Sequence, residues 1–196
     1  MLLFLLSVVF LLSSFACENP FTTRKPEPPE ENNSTFFTPN SPDDVFLNLQ
    51  ISIAEENVEN YIRSFVDSSR SKKRFVFVPD PAVATTQPGT FLNWNLSNER
   101  RYLFQLFQAT PADSLHSLRF VESETPVILQ DTATFTQDYI LTLHHTRQNE
   151  SIPVVYRGQA RFQLERNETG DWAIDKWEDF GNGTDPSWSD LKAFFQ

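Results

Sequence analysis

Residues 152–165 read IPVVYRGQARFQLE and alternate between apolar and polar side chains along the whole run. The apolar set occupies every second position: Ile152, Val154, Tyr156, Ala160, Phe162 and Leu164. Because successive side chains of a strand point to opposite faces of a sheet, this spacing predicts one long strand with one buried face. At Gly158, in the middle of the run, we expect a bulge or a bend.

Further strands are predicted before and after this run, and they are separated by turn sequences such as NETG at 167–170. The full predicted set is residues 74–78, 118–121, 134–146, 152–165 and 172–177. In the third of these, Phe135, Tyr139 and Leu141 share one face. Strands of about a dozen residues must twist and coil. The C-terminal half therefore predicts a curved antiparallel meander.

The first half of the chain carries helix signals instead. Ser41 can cap a helix with Pro42 in its first turn, and apolar side chains recur at helical spacing through Ala54. Asn57 can cap a second, shorter helix, and Ser97 precedes a third. Helices gathered before a long curved sheet predict an α+β domain in which the sheet wraps the N-terminal helices.

The tail, residues 185–195, predicts a short capped helix. We expect its aromatic side chains to cover an open edge of the domain.

Residues 170–180, GDWAIDKWEDF, close the predicted sheet and match the pattern G-x-W-x-I-x-x-W-x-D. The matching residues are Gly170, Trp172, Ile174, Trp177 and Asp179. With the order of elements over residues 41–180, this ending resembles exported members of the nuclear transport factor 2-like superfamily, which includes the SnoaL-like proteins. The resemblance implies a cystatin-like cone with a pocket between helices and sheet. Isomerases, polyketide cyclases and dehydratases of the superfamily use that pocket, whereas many other members only bind or assemble.

Residues 1–16, MLLFLLSVVFLLSSFA, are almost wholly apolar and shorter than the roughly 20 residues that span a bilayer. Their length and small-residue end predict a signal peptide. Cys17, the only cysteine, would become the first mature residue. The junction resembles the lipobox of bacterial lipoproteins, which implies acylation of Cys17 and attachment to a bilayer. The alternative is secretion with a free thiol.

Residues 17–40 carry prolines and acids without apolar periodicity, and they predict a disordered linker. The predicted organisation is a signal peptide at 1–16, the lipidated cysteine and linker at 17–40, and one domain at 41–196. The predicted location is the extracytoplasmic side of a cell membrane or outer membrane.

Six Asn-x-Ser/Thr sequons leave a second location open, that of a secreted, N-glycosylated protein. They start at Asn32, Asn33, Asn95, Asn149, Asn167 and Asn182. Clustering of Asn, Ser and Thr in turns explains the same residues without glycosylation.

The net charge of −10 opposes binding to nucleic acid. No glycine-rich phosphate loop is present, and we expect no cofactor. His144 and His145 are adjacent, so on a strand they point to opposite faces and cannot share one metal. The basic run at 70–74 is interpreted as a solvated strand entry.

Catalysis in a cone of this kind needs a base and hydrogen-bond donors inside the pocket. By strand parity, Tyr139 and Tyr156 are candidate donors, and His145 and Glu178 are candidate bases. Asp138 and Asp175 fall on the opposite faces, so no carboxylate is predicted well inside. The alternative is that both tyrosines are core residues and Glu178 is a solvated strand-end acid.

The polar face of the sheet predicts a surface for self-association or a protein partner. It contains Thr134, Thr136, Thr142, Arg157, Gln159, Arg161 and Gln163. The predicted function is an exported, lipid-anchored envelope protein whose domain binds a ligand or a protein without catalysis. An isomerase, cyclase or dehydratase acting on a small apolar substrate is the alternative.

Overall fold

A computed structural model describes residues 35–69, 71–122, 124–147 and 151–196. The predicted signal peptide, the lipidation candidate Cys17 and the linker up to residue 34 lie outside the described residues. So do Arg70 and the sequons that start at Asn32, Asn33 and Asn149.

The described chain contains helices first and long strands later, as the change of period predicts. The helices are α1 (Pro42–Ala54), α2 (Val58–Arg63), α3 (Pro81–Thr86), α4 (Leu96–Gln108) and α5 (Trp188–Phe194). The strands are β1 (Val76–Val78), β2 (Ser117–Glu122), β3 (Val127–Ile128), β4 (Thr132–Thr142), β5 (Val155–Arg166) and β6 (Trp172–Gly181). None of the helices in the described ranges has both the length and the apolar character needed to cross a membrane.

The strands form one sheet in the order β1-β6-β5-β4-β2, with β3 also paired to β4. All pairs are antiparallel except β1 with β6, which run parallel. Strands β4, β5 and β6 have 11, 12 and 10 residues. The predicted α+β class is confirmed; β1, expected at residues 74–78, pairs parallel rather than antiparallel, and β3 was not predicted.

Helix α1 begins where its sequence predicts. Ser41 and Asp44 form a reciprocal capping box, and Pro42 occupies the first turn. The stripe of Val45, Leu49 and Ile53 is buried against the sheet. Asn57 caps α2 as predicted.

Three local expectations differ from the structure. Helix α4 begins at Leu96, and its cap is Asn95 rather than Ser97. The Asn95 side chain accepts from the Ser97 amide, which places Ser97 inside the first turn. Helix α3, capped by Asp80, was not predicted. Residues 35–40, expected in the linker, pack on the domain: Pro39 is buried, and its carbonyl accepts from the Trp172 amide.

The irregularity expected at Gly158 lies in β6 instead. Leu164 of β5 pairs with Ile174 and Gln163 pairs with Lys176, so Asp175 has no partner across the ladder. One extra residue in a strand reverses the facing of every residue beyond it. Trp177 and Asp179 therefore point toward the helices. Glu178, predicted to share that inner face, is on the other one.

Candidate functional site

The candidate site is the space between the sheet and helices α1, α2 and α4, called the interior below. The pocket implied by the sequence resemblance would lie there. Helix α5 directs one face into this space, and Asp190, Ala193 and Phe194 on its other side remain partly exposed. Its side chains Trp188, Leu191 and Lys192 are fully buried, as is Phe195 directly after it.

A capping box explains why the tail forms a helix at this point. The Ser187 hydroxyl accepts from the Asp190 amide, and the Asp190 carboxylate accepts from the Ser187 amide at 2.7 Å. The buried residues recur at i, i+3, i+4 and i+7, which is one face of a helix. That face includes a lysine, so the charge of Lys192 enters the interior with the apolar side chains.

Asp179 is a buried carboxylate that anchors the start of α5. One oxygen accepts from the Tyr139 hydroxyl at 2.8 Å, and the other accepts from the Ser189 amide at 2.7 Å and hydroxyl at 2.6 Å. Burial raises the pKa of Asp179, against the opposing effect of these hydrogen bonds. Burial, with the nearby Asp179 charge, also raises the pKa of Tyr139. The pair therefore holds α5 through neutral and charge-assisted hydrogen bonds.

Gly158 makes this arrangement sterically accessible. A Cβ at Gly158 would lie 2.6 Å from the Tyr139 hydroxyl and 2.5 Å from the Phe180 carbonyl oxygen. Only a residue without a side chain lets Tyr139 cross its partner strand and reach Asp179. The hydroxyl also accepts from the Trp188 amide at 2.7 Å.

A second buried carboxylate, Glu99 of α4, pairs with Lys192 of α5. The Lys192 Nζ and the Trp94 Nε1 both donate to Glu99 Oε1, at 2.5 and 2.6 Å. Both charged side chains are 0% exposed. Burial lowers the pKa of Lys192 to about 8, although the Glu99 charge acts in the opposite direction.

Aromatic rings surround the Lys192 ammonium. Nζ lies 3.4 Å from the ring centroid of Phe77 and 3.6 Å from that of Trp177. The rings of Trp94 and Tyr102 follow at 5.7 and 5.6 Å. Cations over aromatic faces within about 6 Å are attracted to the ring quadrupole. The ammonium is thus held by one carboxylate and by cation–π contacts.

The other oxygen of Glu99 completes a chain of hydrogen bonds that returns to α5. The Trp188 Nε1 donates to the Tyr102 hydroxyl at 3.1 Å. The Tyr102 hydroxyl lies 2.9 Å from that of Tyr61, which in turn donates to Glu99 Oε2 at 3.1 Å. Burial, together with the Glu99 charge, raises the pKa of both tyrosines well above the ordinary value. They remain protonated donors throughout the physiological range.

The four residues proposed from strand parity do not meet at one point, and only Tyr156 and His145 share a partner. Tyr156 and His145 both contact the carbonyl of Pro153, with the tyrosine hydroxyl at 2.7 Å and the histidine Nε2 at 2.9 Å. Tyr139 contacts Asp179, and Glu178 pairs with Lys176 on the opposite face of the sheet. Burial raises the pKa of Tyr156.

The interior instead contains Glu99, Asp179 and Lys192, which had not been proposed as site residues. Glu99 had a readable signal, because it shares the i, i+3, i+4, i+7 stripe of Tyr102, Leu103 and Leu106. For Asp179 the signal is the spacing of Ile174 and Trp177, which are three residues apart and break strict alternation. That break marks the bulge at Asp175, whose carboxylate accepts from Lys73 at 2.7 Å.

The three histidines lie close together at one end of the sheet. The His144 amide donates to His116 Nδ1 at 3.2 Å, and the two imidazole rings are stacked with centroids 6.5 Å apart. His116 Nε2 lies 3.4 Å from the carboxylate of Glu56. Burial, with the neighbouring His144 and His145, lowers the pKa of His116 to about 4. No group of three or more metal-ligating side chains occurs among the residues that the structure describes.

The outer face of the sheet carries the predicted polar residues on β4 and β5, because each pairs with an outward neighbour. Examples are Asp138 opposite Gln159 and Thr136 opposite Arg161, although Thr136 itself is buried. The face is not uniformly polar, however. Val121 and Phe180 are exposed on it, and a cleft of about 470 Å³ lies between Ile140, Arg157 and Phe180. A second cleft, of about 680 Å³, lies near Phe36, Arg63 and Trp172.

No protein-family model and no curated protein matches this chain. Solved structures do match it. A conserved protein from Planctomyces limnophilus DSM 3776 has a TM-score of 0.52 at 14% identity, over 70% of this chain and 91% of that one. An NTF-2 like protein of unknown function from Shewanella oneidensis MR-1 has a TM-score of 0.50 at 11% identity, over 70% of this chain and 94% of that one.

A candidate scytalone dehydratase from Novosphingobium aromaticivorans DSM 12444 has a TM-score of 0.51 at 10% identity. The match covers 70% of this chain and 78% of that one. At these sequence identities the comparisons give information about the fold alone. They confirm the nuclear transport factor 2-like fold expected from the sequence.

Proposed function

We propose that this chain is an exported, lipid-anchored envelope protein whose nuclear transport factor 2-like domain binds a ligand or a protein without catalysis. The observation that carries the proposal is the occupied interior. In this fold the interior would have to admit a substrate, and here the chain's own α5 fills it with Trp188, Leu191 and Lys192.

The charges of the interior support the same conclusion. Catalytic acids and bases need a free hydrogen-bonding position directed at the reacting group. Both oxygens of Asp179 accept bonds from the protein, and so do both oxygens of Glu99. These carboxylates hold α5 in place rather than facing a cavity.

The surface that we propose for recognition is the outer face of the sheet, whose cleft is separate from the one near Phe36, Arg63 and Trp172. Its cleft is lined by the aromatic ring of Phe180, the cation of Arg157 and the carboxylate of Asp138. Aromatic and arginine side chains are enriched where proteins bind one another. A second copy of the chain or another envelope protein is the proposed partner of this face.

A photocrosslinking amino acid tests that surface in intact cells. We expect crosslinks when it replaces Phe180 on the outer face, and none when it replaces Leu92, which is exposed in the segment between α3 and α4. Equal crosslinking at both positions, or none at position 180, would count against the proposed interface.

An enzyme remains the second candidate because the interior contains a tyrosine hydroxyl and a carboxylate in contact, Tyr139 and Asp179. This pair could serve a dehydratase or isomerase only after α5 has moved. We expect small apolar ketones to leave the melting temperature unchanged. A saturable shift that Tyr139→Phe abolishes and Tyr156→Phe preserves would instead favour the enzyme.

Attachment to a bilayer is tested at Cys17. Wild-type protein expressed with its leader should partition into a detergent phase, and Cys17→Ser should move to the aqueous phase because the acyl chains are lost. Cys17→Ser leaves every residue of the described domain unchanged, so altered partition reports on the anchor. Aqueous partition of both forms would refute it.

A further inference from the structure

The Lys192 ammonium is held by groups that belong to other parts of the chain. Phe77 comes from β1, Trp177 from β6, Glu99 and Tyr102 from α4, and Trp94 from the segment before α4. Only the ammonium itself comes from α5. Four rings and one carboxylate, here called the cage, therefore form a receptor, and the C-terminal helix supplies the occupant.

The chemistry of the cage selects a cation. Its two nearest ring centroids are 3.4 and 3.6 Å from Nζ, and the buried carboxylate oxygen is at 2.5 Å. Aromatic faces combined with a carboxylate recognise alkylammonium groups, because the rings and the acid both present negative potential. The hydrogen bonds from Trp94 and Tyr61 keep the Glu99 carboxylate oriented toward Nζ.

Stability alone does not account for this arrangement. Replacing a buried ion pair by apolar side chains of similar volume is often neutral or stabilising. An interior already lined by Trp177, Trp188 and Phe77 could accept an apolar residue at position 192. The cage instead contains the buried Lys192 ammonium, whose desolvation is costly. Contacts with five side chains hold that ammonium in position.

We propose that the cage is an ammonium-binding site, that Lys192 occupies it as a tethered ligand, and that it takes a free primary alkylammonium ion when Lys192 is withdrawn. Withdrawal of α5 would remove the Trp188 contacts with Trp177 and Tyr102, but none of the cage residues themselves, because these belong to β1, β6, α4 and the segment before α4. This inference concerns the interior and does not depend on the membrane anchor or on the outer face.

The test restores the missing fragment of a truncated lysine. Lys192→Ala removes three carbons and the ammonium, which together correspond to n-propylammonium. We expect n-propylammonium to raise the melting temperature of full-length Lys192→Ala with the logarithm of its concentration, by about 4 °C at roughly ten times its dissociation constant. Size-matched 1-propanol should give no comparable rise, because it has no charge.

Two variants control for occupancy and for charge. Wild-type protein and Lys192→Met should not respond, since their own side chains fill the cage. Adding Glu99→Gln to Lys192→Ala should raise the apparent dissociation constant for n-propylammonium at least tenfold. If Lys192→Ala does not fold alone, n-propylammonium supplied during refolding should recover folded protein.

Three results would overturn the proposal. In the first, 1-propanol stabilises Lys192→Ala as well as n-propylammonium does, which shows an apolar cavity only. In the second, the response to n-propylammonium is the same with and without Glu99→Gln. In the third, Lys192→Ala shows neither stabilisation nor recovery at any concentration of n-propylammonium.

Discussion

Asp179 and Glu178 are adjacent acids with opposite environments, and the bulge at Asp175 is the reason. Beyond that extra residue, position 179 faces the interior and position 178 faces the outer side of the sheet. Strict alternation from Trp172 places Glu178 inside, which is why it was proposed as a base. The assignment reversed because one unpaired residue shifts the parity of everything after it.

The two acids give a matched pair of substitutions. Asp179→Asn should lower the free energy of unfolding by about 2 kcal/mol, because it weakens bonds from Tyr139 and Ser189 in a buried site. Glu178→Gln should change it by less than about 0.5 kcal/mol, since its partner Lys176 is partly solvated. Urea titration of both variants measures the difference. Equal losses would show that the parity assigned here is wrong.

Helix α5 has seven residues and is too short to be stable on its own. Its stability must come from packing, and its buried face supplies that through Trp188, Leu191 and Phe195. The helix also fills the interior, and its Lys192 supplies the positive charge that pairs with Glu99. The tail was predicted as a helix from its cap, but its position inside the domain depends on residues far away in the sequence.

Phenylalanine truncations compare this helix with a surface position. Phe195, 1% exposed, packs in the core, whereas Phe104 of α4 is 54% exposed. Phe195→Ala should lower the free energy of unfolding by about 3 kcal/mol, and Phe104→Ala by less than about 1 kcal/mol. Chemical denaturation followed by tryptophan fluorescence measures both. A loss for Phe195→Ala no larger than that for Phe104→Ala would mean that α5 is not held in the interior.

The whole domain should lose stability in acid because of His116. Its pKa is lowered to about 4 in the folded state, against about 6.5 when unfolded, so between these values the unfolded chain binds more protons. Stability attributable to His116 is then full above pH 6.5 and declines as the pH falls toward 4. The groups near His116 are Glu56, Thr110 and the two neighbouring histidines, His144 and His145.

We therefore expect wild-type protein to lose about 1–3 kcal/mol more than His116→Asn between pH 7 and pH 4. His144→Asn is the matched comparison: its side chain is exposed, and its removal should lessen the slope only in part, because burial is the larger cause of the lowered His116 pKa. Urea midpoints measured across the pH range give the comparison. A His116→Asn slope equal to that of wild type would contradict the assignment.

Local patterns were sufficient for the helix caps at Ser41 and Asn57, for a capped helix in the tail, for the long strands and for the α+β class. Each of these depends on neighbours in the sequence, namely a capping side chain or a period of two or 3.6 residues. The alternation of residues 152–165 placed Tyr156, Ala160, Phe162 and Leu164 on the buried face, as the structure shows.

The contents of the interior were decided by tertiary structure. The contacts of Lys192 with Glu99 and of Asp179 with Tyr139 join residues 93 and 40 positions apart. No local pattern specifies which carboxylate a buried lysine will meet, because burial and pairing depend on how whole elements pack. The resemblance of the sequence to a known superfamily implied a cone with a pocket, and packing filled that space with the side chains of α5.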